Sequence, residues 1–388
     1  IWRQATRVKL ALSGLVGNLW LEGEFQQGFL TWERGHFARV KKGFPPKRLA
    51  SSLLDVRPLR IIPGFVDTLC HGYAGVGAPS GSPDELLQMA RSLAQAGVTS
   101  ALMGFYPSDL AQVRKAAKHW NAWRTFRQRG ARVDGWHMEG PFLPKIMAGA
   151  LPPKDLRNPS ARAVQALMRA SGGWLKMCTM APELAGARSA ARTFLKEGVI
   201  PSIGHTQATW GDCERIAIEG GISVTHCGNR MLPMTAREPG PMGWAMAGHA
   251  LAVGVVPDGE HVSCSVLKLW ANHSAMQASL MFQSDNLSHA GMPAKSFVAG
   301  GKRLHRVGSA ARDTKGNLGG TLDALPSLLA DRIADGTLTW AQVIRAGAEV
   351  PGEILGKRGK IQVGMYADCV VMNAEGKPVS TWVGGRSF

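Results

Sequence analysis

The spacing of hydrophobic residues changes along the chain, and after residue 58 the change becomes regular. Short apolar runs such as Thr99–Phe105, Leu175–Met180 and Ile200–Ile203 have the length of buried strands. Stretches such as Pro83–Ala96 instead place apolar side chains about every 3.6 residues, as a helix does. About eight strand-then-helix units follow one another, beginning with Arg60–Val66. This alternation predicts an α/β fold, and the number of units favours a (β/α)8 TIM barrel over a doubly wound sheet.

The two ends of the chain lack this alternation and are rich in strand-like runs. Val8–Leu12 is one such run near the start, and Cys369–Met372 is another near the end. We therefore expect residues 1–58 and 357–388 to form one small β-sandwich domain, with the barrel of residues 59–356 between its two parts.

Four of the apolar runs end in a residue that can bind a metal or carry a proton. Active sites of (β/α)8 barrels lie at the carboxyl ends of the strands, so these four side chains are expected to meet. Together they supply enough donors for three ligands to a divalent metal and one carboxylate for proton transfer, which indicates a hydrolase. Each has another interpretation when taken alone, because Asp often caps helices and buried His is often only hydrogen-bonded. The four are Glu139, His205, His226 and Asp285.

Composition narrows the class of protein only a little. The net charge is +17, with 45 Lys and Arg against 28 Asp and Glu, which fits either an anionic partner or a solvated basic surface. The sequence contains no basic motif with interleaved aromatic residues, which is the pattern typical of nucleic-acid-binding proteins. The apolar stretch Met242–Pro257 contains His249 and is short for a membrane span, so we expect a core helix and strand there. Six scattered cysteines without a Cys-x-x-Cys pair favour reduced thiols in the cytoplasm.

The order of short motifs resembles the amidohydrolase superfamily, and within it the N-acetylglucosamine-6-phosphate deacetylase family. The resemblance covers nearly the whole chain and depends on the number and order of the motifs, since each is short. They are Pro63-Gly64-Phe65-Val66-Asp67 before His71-Gly72, Met138-Glu139-Gly140-Pro141-Phe142-Leu143, Ala181-Pro182-Glu183, Gly204-His205-Thr206, Thr225-His226 with Asn229 and Met231, Arg237-Glu238-Pro239-Gly240, Asp258-Gly259-Glu260-His261, Ser284-Asp285, Leu318-Gly319-Gly320-Thr321 and Gly364–Asp368.

The resemblance implies an activity and a role for each motif. It implies hydrolysis of the N-acetyl group of N-acetylglucosamine-6-phosphate to glucosamine-6-phosphate and acetate, by a cytoplasmic homodimer. An amide is poorly electrophilic, so one divalent metal, Zn²⁺ before Fe²⁺ or Mn²⁺, would polarise it. Asp285 would be the general base and acid, and Glu183 a structural residue of the barrel. The implied metal ligands are Glu139, His205 and His226, and the substrate-binding positions are Ala150, Asn229, Arg230, Arg237, His261 and Leu318, with Arg237 reaching across the dimer interface.

Three positions depart from the family pattern. The loop after Asp67 keeps only the second histidine of a His-x-His pair, His71, which favours one metal and makes His71 a residue that lines the site. Leu151 stands where the family has a substrate-contacting histidine. Arg230 adds a charge beside the site.

The Leu151 and Arg230 departures leave two other functions open. One is a deacetylase of a different N-acyl amino sugar, with or without phosphate. The other is a relative without turnover that binds a sugar phosphate or a protein partner. A specific nucleic-acid or membrane partner is not expected.

Overall fold

The computed structural model describes residues 13–126, 130–293, 295–299 and 302–388. The predicted strand Val8–Leu12 lies outside these ranges. The strands are β1 Gly14–Leu21, β2 Glu24–Glu33, β3 His36–Lys42, β4 Leu53–Pro63, β5 Phe65–Cys70, β6 Gly72–Tyr73, β7 Val76–Gly77, β8 Val98–Phe105, β9 Arg132–Phe142, β10 Leu175–Met180, β11 Ile200–Ile203, β12 Ser223–Val224, β13 Val253–Val255, β14 Leu280–Phe282, β15 Ser296–Ala299, β16 Lys302–Val307, β17 Ala310–Asp313, β18 Leu318–Thr321, β19 Cys369–Met372, β20 Pro378–Val383 and β21 Arg386–Ser387.

Helices alternate with the central strands. Short 3₁₀ turns lie at Lys145–Met147 and Pro153–Asp155, and a π-helical segment, Arg345–Glu349, joins the last two α-helices. The α-helices are α1 Lys47–Ala50, α2 Pro83–Gln95, α3 Leu110–Trp123, α4 Ala161–Ser171, α5 Ala187–Lys196, α6 Trp210–Ala217, α7 Gly240–Met246, α8 Cys264–Asn272, α9 Ser274–Ser279, α10 Leu325–Ala334, α11 Trp340–Ile344 and α12 Val350–Leu355.

The central sheet confirms the predicted barrel. Its eight parallel strands follow the order β14-β13-β12-β11-β10-β9-β8-β5. The two edges meet beyond β5 and β14, where the Asp285 amide donates to the Leu69 carbonyl at 2.9 Å and the His71 amide donates to the Asn286 carbonyl at 3.0 Å. The barrel therefore closes through the residues that immediately surround the candidate site.

The predicted first strand, Arg60–Val66, is wrong as a single element. The chain passes from β4 to β5 at Gly64, and these two strands belong to different sheets. A Cβ at Gly64 would lie 2.1 Å from Oγ1 of Thr99, and the Gly64 amide donates to the Asp368 carbonyl at 3.0 Å. Glycine thus lets the chain cross closely between the two sheets, which an apolar run in the sequence does not reveal.

The two chain ends form a second sheet, as predicted. Its seven strands follow the order β21-β20-β19-β4-β1-β2-β3, so the carboxyl-terminal strands pair with β4. Phe37 of β3 and Trp382 of β20 belong to the same hydrophobic core although their strands lie far apart in the sheet order. The sheet therefore curves around its own core. The domain boundaries at residues 58 and 357 stay a prediction.

A third sheet was not foreseen in the sequence. Strands β15 to β18 form an antiparallel sheet in chain order between β14 and α10. The Thr321 amide, at its end, donates to the Asp285 carbonyl at 2.9 Å. This "insertion sheet", residues 295–299 and 302–321, is therefore attached directly to the strand end that carries Asp285.

The helix prediction over Pro83–Ala96 is confirmed by α2, which begins with a capping box between Ser82 and Glu85. The stretch Met242–Pro257 contains part of α7 and all of β13, as predicted. No helix in the described ranges is both long and apolar enough to cross a bilayer.

The crossing at Gly64 gives a stability prediction. Gly64→Ala forces a methyl group into Thr99, so we expect the free energy of unfolding to fall by about 1–3 kcal/mol, as for other overpacked cores. Thermal and urea unfolding measure the change. Gly211→Ala is the matched control, because its added Cβ meets no atom closer than 3.9 Å. Equal unfolding midpoints for both variants would contradict the interpretation.

Candidate metal and active site

Glu139 brings the two predicted histidine ligands together. Its Oε1 lies 2.8 Å from Nε2 of His205 and 2.8 Å from Nε2 of His226, and all three side chains are buried. Glu139 comes from β9, His205 follows β11 and His226 follows β12, so three strands on one side of the barrel supply the set, with β10 between β9 and β11. The barrel geometry therefore joins residues that are 66 and 87 positions apart in the chain.

The backbone at this site is held in an uncommon conformation. His205, His226 and Asp285 have positive φ values of 49°, 28° and 50°. Non-glycine residues rarely adopt this left-handed region, and such strain concentrates at functional sites where the surrounding structure enforces it. Here it turns each side chain toward the barrel mouth immediately after a strand ends.

Local hydrogen bonds orient His205. Its Nδ1 donates to the Met147 carbonyl at 2.7 Å, because a carbonyl can only accept. Glu183 accepts from the Thr206 hydroxyl and, at 2.9 Å, from the Gln207 amide, and thereby holds the turn that follows His205. The family resemblance implies only a structural role in the barrel for Glu183, and these contacts make it a positioning residue for His205.

His71 links the Glu139 cluster to Asp285. Its Nε2 lies 3.3 Å from Oε2 of Glu139 and 3.2 Å from Oδ1 of Asp285. The ring stacks on Tyr106 with centroids 4.1 Å apart, and a Cβ at Gly104 would lie 2.6 Å from its Nδ1. Gly104 and Tyr106 therefore enclose the ring, and His71 lines the site from within the barrel.

On the other side of Asp285 lies His261. Its Nε2 is 3.8 Å from Oδ2 of Asp285, and its Nδ1 is 2.6 Å from Oδ2 of Asp258. Burial alone would raise the pKa of Asp258, but the bonds from His261 lower it below its usual value. Asp258 is thus the residue that fixes the orientation of the His261 ring.

The acid–base balance of the cluster follows from burial and hydrogen bonding. Burial alone would raise the pKa of Glu139, but bonds from His205, His226 and His71 hold it well below its usual range. Burial alone would lower the pKa of His71, but Asp285 and Glu139 raise it to about 9. The carboxylates therefore stabilise positive charge among the imidazoles.

These donors suit a divalent cation. With Nδ1 of His205 donating to Met147, a neutral ring turns the lone pair of Nε2 toward the Glu139 oxygen, and only a positive charge between them relieves the repulsion. Nδ1 of His226 is buried without a hydrogen-bond partner in the described part of the chain. In the described part of the chain, two groups of three side chains present donor atoms within 4.8 Å of one another: Glu139, His205 and His226 form one, and His71, Glu139 and Asp285 form the other.

His137 is a buried histidine that is hydrogen-bonded through both ring nitrogens. Its Nδ1 donates to the Thr68 carbonyl at 2.8 Å, and its Nε2 lies 2.8 Å from the Thr179 hydroxyl. Both nitrogens are satisfied, and burial lowers the pKa of the ring to about 4. His137 therefore supports the site from below and has no free nitrogen for a metal.

A cavity of about 480 Å³ opens above the cluster and is lined by Glu139, His205, His226 and Asp285. Among the predicted substrate-binding positions, Arg237 does not line it and lies exposed on the segment between Met231 and α7. The insertion sheet and the end of β8 also contribute residues that sequence reasoning missed, because no motif marks them. The predicted residues that line the cavity are Ala150, Asn229, Arg230, His261 and Leu318, and the missed ones include Tyr106, Met147, Arg312 and Asn317.

No protein-family model matches the chain. Among curated proteins it is 27% identical over 330 residues to the N-acetylgalactosamine-6-phosphate deacetylase of Escherichia coli O157:H7, covering 84% of this chain and 87% of that protein. It is 27% identical over 373 residues to the N-acetylglucosamine-6-phosphate deacetylase of Bos taurus, covering 92% and 90%. The chain resembles the N-acetylglucosamine-6-phosphate deacetylases over nearly its whole length.

Solved structures show the same fold. A mutant of N-acetyl-D-glucosamine-6-phosphate deacetylase from Mycobacterium smegmatis, in complex with N-acetyl-D-glucosamine-6-phosphate, matches with a TM-score of 0.87 and 23% identity, covering 97% of this chain and 98% of that one. The Pasteurella multocida deacetylase matches with a TM-score of 0.88 and 22% identity, covering 97% and 99%. The eight-stranded barrel with its terminal β domain is thus the shared fold.

The Glu183 contacts give a test of metal binding. Glu183→Ala frees the turn that carries His205, so we expect the affinity for Zn²⁺ to fall roughly 10- to 100-fold, as for other residues that orient a ligand. Competition with a chromophoric chelator measures the affinity. Glu183→Gln keeps an acceptor and should lose less, and Glu197→Ala, an exposed residue after α5, is the control. Unchanged affinity in Glu183→Ala would remove its positioning role.

Proposed function

We propose that this protein hydrolyses the N-acetyl group of N-acetylglucosamine-6-phosphate, giving glucosamine-6-phosphate and acetate. One observation carries the proposal: the Glu139 carboxylate draws His205 and His226 to 2.8 Å at the base of a cavity that also contains Asp285. The relatives that share this fold over nearly the whole chain are amino sugar 6-phosphate deacetylases.

Glu139, His205 and His226 would hold a divalent cation, whose chemistry is to polarise the amide carbonyl and acidify water. Asp285 takes a proton from the attacking water and returns it to the departing amine, because its carboxylate lies in the same cavity and is bordered by His71 and His261. Those two rings hold the carboxylate in place. His261, oriented by Asp258, also faces the substrate.

We propose one metal ion, with Zn²⁺ favoured by two imidazoles and a carboxylate, and Fe²⁺ or Mn²⁺ as alternatives. Leu69 supplies no ligand where the family has the first histidine of its pair, so His71 acts by lining the site. We also propose a cytoplasmic homodimer in which Arg237 reaches the partner's cavity. The exposure of Arg237 outside its own cavity supports that arrangement.

A second candidate substrate is N-acetylgalactosamine-6-phosphate. The chain is 27% identical to the Escherichia coli O157:H7 enzyme and 28% identical to the Shewanella enzyme named for that sugar. Leu151 favours altered sugar recognition, since an apolar side chain cannot donate the hydrogen bond that a histidine would make. Leu151 is buried and lines the same cavity.

A substrate panel tests the proposed function. We expect the metal-loaded protein to release acetate from at least one of the two N-acetylhexosamine 6-phosphates, and to act more slowly on the same sugars without phosphate. An enzyme-coupled acetate assay with all four sugars gives kcat/KM for each. Release of no acetate from any of the four would refute the deacetylase function, and a preference for the galactosamine compound would replace the first substrate by the second.

Proton transfer by Asp285 gives a second test. Asp285→Asn keeps the size of the side chain but removes the base, so kcat should fall roughly 10²- to 10⁴-fold. The metal content should stay near one equivalent per chain, because Glu139, His205 and His226 remain. Asp84→Asn, on the exposed first turn of α2, is the matched control. Wild-type turnover in Asp285→Asn would require another residue to carry the proton.

A further inference from the structure

Two arginines line the catalytic cavity, and their surroundings differ. Arg312, on the insertion sheet, places a guanidinium nitrogen 2.5 Å from Oε2 of Glu260 and another 2.8 Å from the Gly316 carbonyl. Its charge is therefore largely balanced within the protein. Arg230 forms no ion pair with a carboxylate in the described part of the chain, although its side chain reaches the same cavity.

The backbone of Arg230 is held by neighbouring residues. Its carbonyl accepts a hydrogen bond from the Thr206 amide at 2.9 Å, and the following residue, Met231, forms a β-bridge with Thr206. Its φ is 49°, a conformation that non-glycine residues adopt only where the surroundings impose it. The two loops that carry His205 and His226 thus fix where the Arg230 side chain begins.

The guanidinium lies over the backbone of Gly149. A Cβ at Gly149 would be 2.6 Å from Nε of Arg230, so the Arg230 side chain occupies the space that a larger residue at position 149 would take. The neighbouring Asn229 has its Nδ2 buried without a hydrogen-bond partner in the described ranges, and Asn229 lines the cavity too. Two consecutive residues therefore line the cavity, one with a planar cation that has no carboxylate partner and one with an unpaired amide donor.

We propose that Arg230, with Asn229 beside it, binds the phosphate of the substrate from within the same chain. A guanidinium offers paired N–H donors that match phosphate oxygens, and an added amide donor completes such a site. This inference rests on the proposed function and deepens it. It adds a phosphate contact from within the chain to the one that Arg237 would make across the dimer interface, since Arg237 does not line the catalytic cavity of its own chain.

The decisive measurement is the preference for phosphate in each variant, taken as kcat/KM for the N-acetylhexosamine 6-phosphate divided by kcat/KM for the same sugar without phosphate. In Arg230→Ala the phosphorylated substrate should lose roughly 10- to 100-fold in kcat/KM, the cost of a hydrogen bond to a charged group, while the other substrate changes little. Arg230→Lys keeps the charge without the planar fork and should lie between. Arg162→Ala, exposed on α4, is the matched control.

A loss of folding would lower both rates equally, so the preference for phosphate separates recognition from stability. If Arg230→Ala keeps the wild-type preference, or if Arg237→Ala alone removes it, the proposal is wrong. Calorimetric binding of glucosamine-6-phosphate and of glucosamine to wild type and Arg230→Ala supplies a readout without turnover. A wild type that hydrolyses none of the sugars refutes the deacetylase function. In that case an Arg230-dependent difference between the two affinities supports the phosphate site, and equal affinities overturn it.

Discussion

The active centre depends on one buried carboxylate that two imidazoles share. Glu139 lies 2.8 Å from both His205 and His226, and its Oε2 also approaches His71. A carboxylate in so dry a place is stable only with positive charge beside it, whether as protons on the histidines or as a bound cation. The strained turns at His205 and His226 and the bond from His205 to Met147 all serve to keep these donors convergent.

Buried hydrogen bonds inside the barrel hold this cluster in place from below. Beneath the site, the Thr179 hydroxyl lies between His137 and the Thr225 hydroxyl, and the Gln283 side chain accepts from the His226 amide. Glycines on the strands leave the space for these groups, since a Cβ at Gly254 would lie 2.2 Å from Oε1 of Gln283. A layer of buried, hydrogen-bonded polar side chains thus lies between the site and the apolar core. This layer holds the site residues in place and is itself closed to solvent.

The cavity wall is formed by segments that lie far apart in the sequence. The loop after β12 supplies Asn229 and Arg230, and the insertion sheet supplies Arg312 and Asn317. Glu260 neutralises Arg312 and ties the insertion sheet to the loop after β13, while Arg230 has no carboxylate partner in the described part of the chain. Arginine therefore has a structural contact at position 312 and a proposed phosphate contact at position 230, and the difference depends on whether a carboxylate lies beside the guanidinium.

The sequence by itself determined the barrel and the joining of the two chain ends in one sheet. It also indicated the four residues that meet at the site, which are Glu139, His205, His226 and Asp285. Hydrophobic periodicity is a local property, and strand ends mark where an active site forms. The sequence did not reveal the break at Gly64, the insertion sheet or the role of Glu183. The break depends on the close approach of Thr99 to Gly64, and the placement of the insertion sheet depends on the hydrogen bond from Thr321 to Asp285. The role of Glu183 depends on its hydrogen bond from Thr206. Each is a contact between residues distant in the chain, so only the tertiary structure decided it.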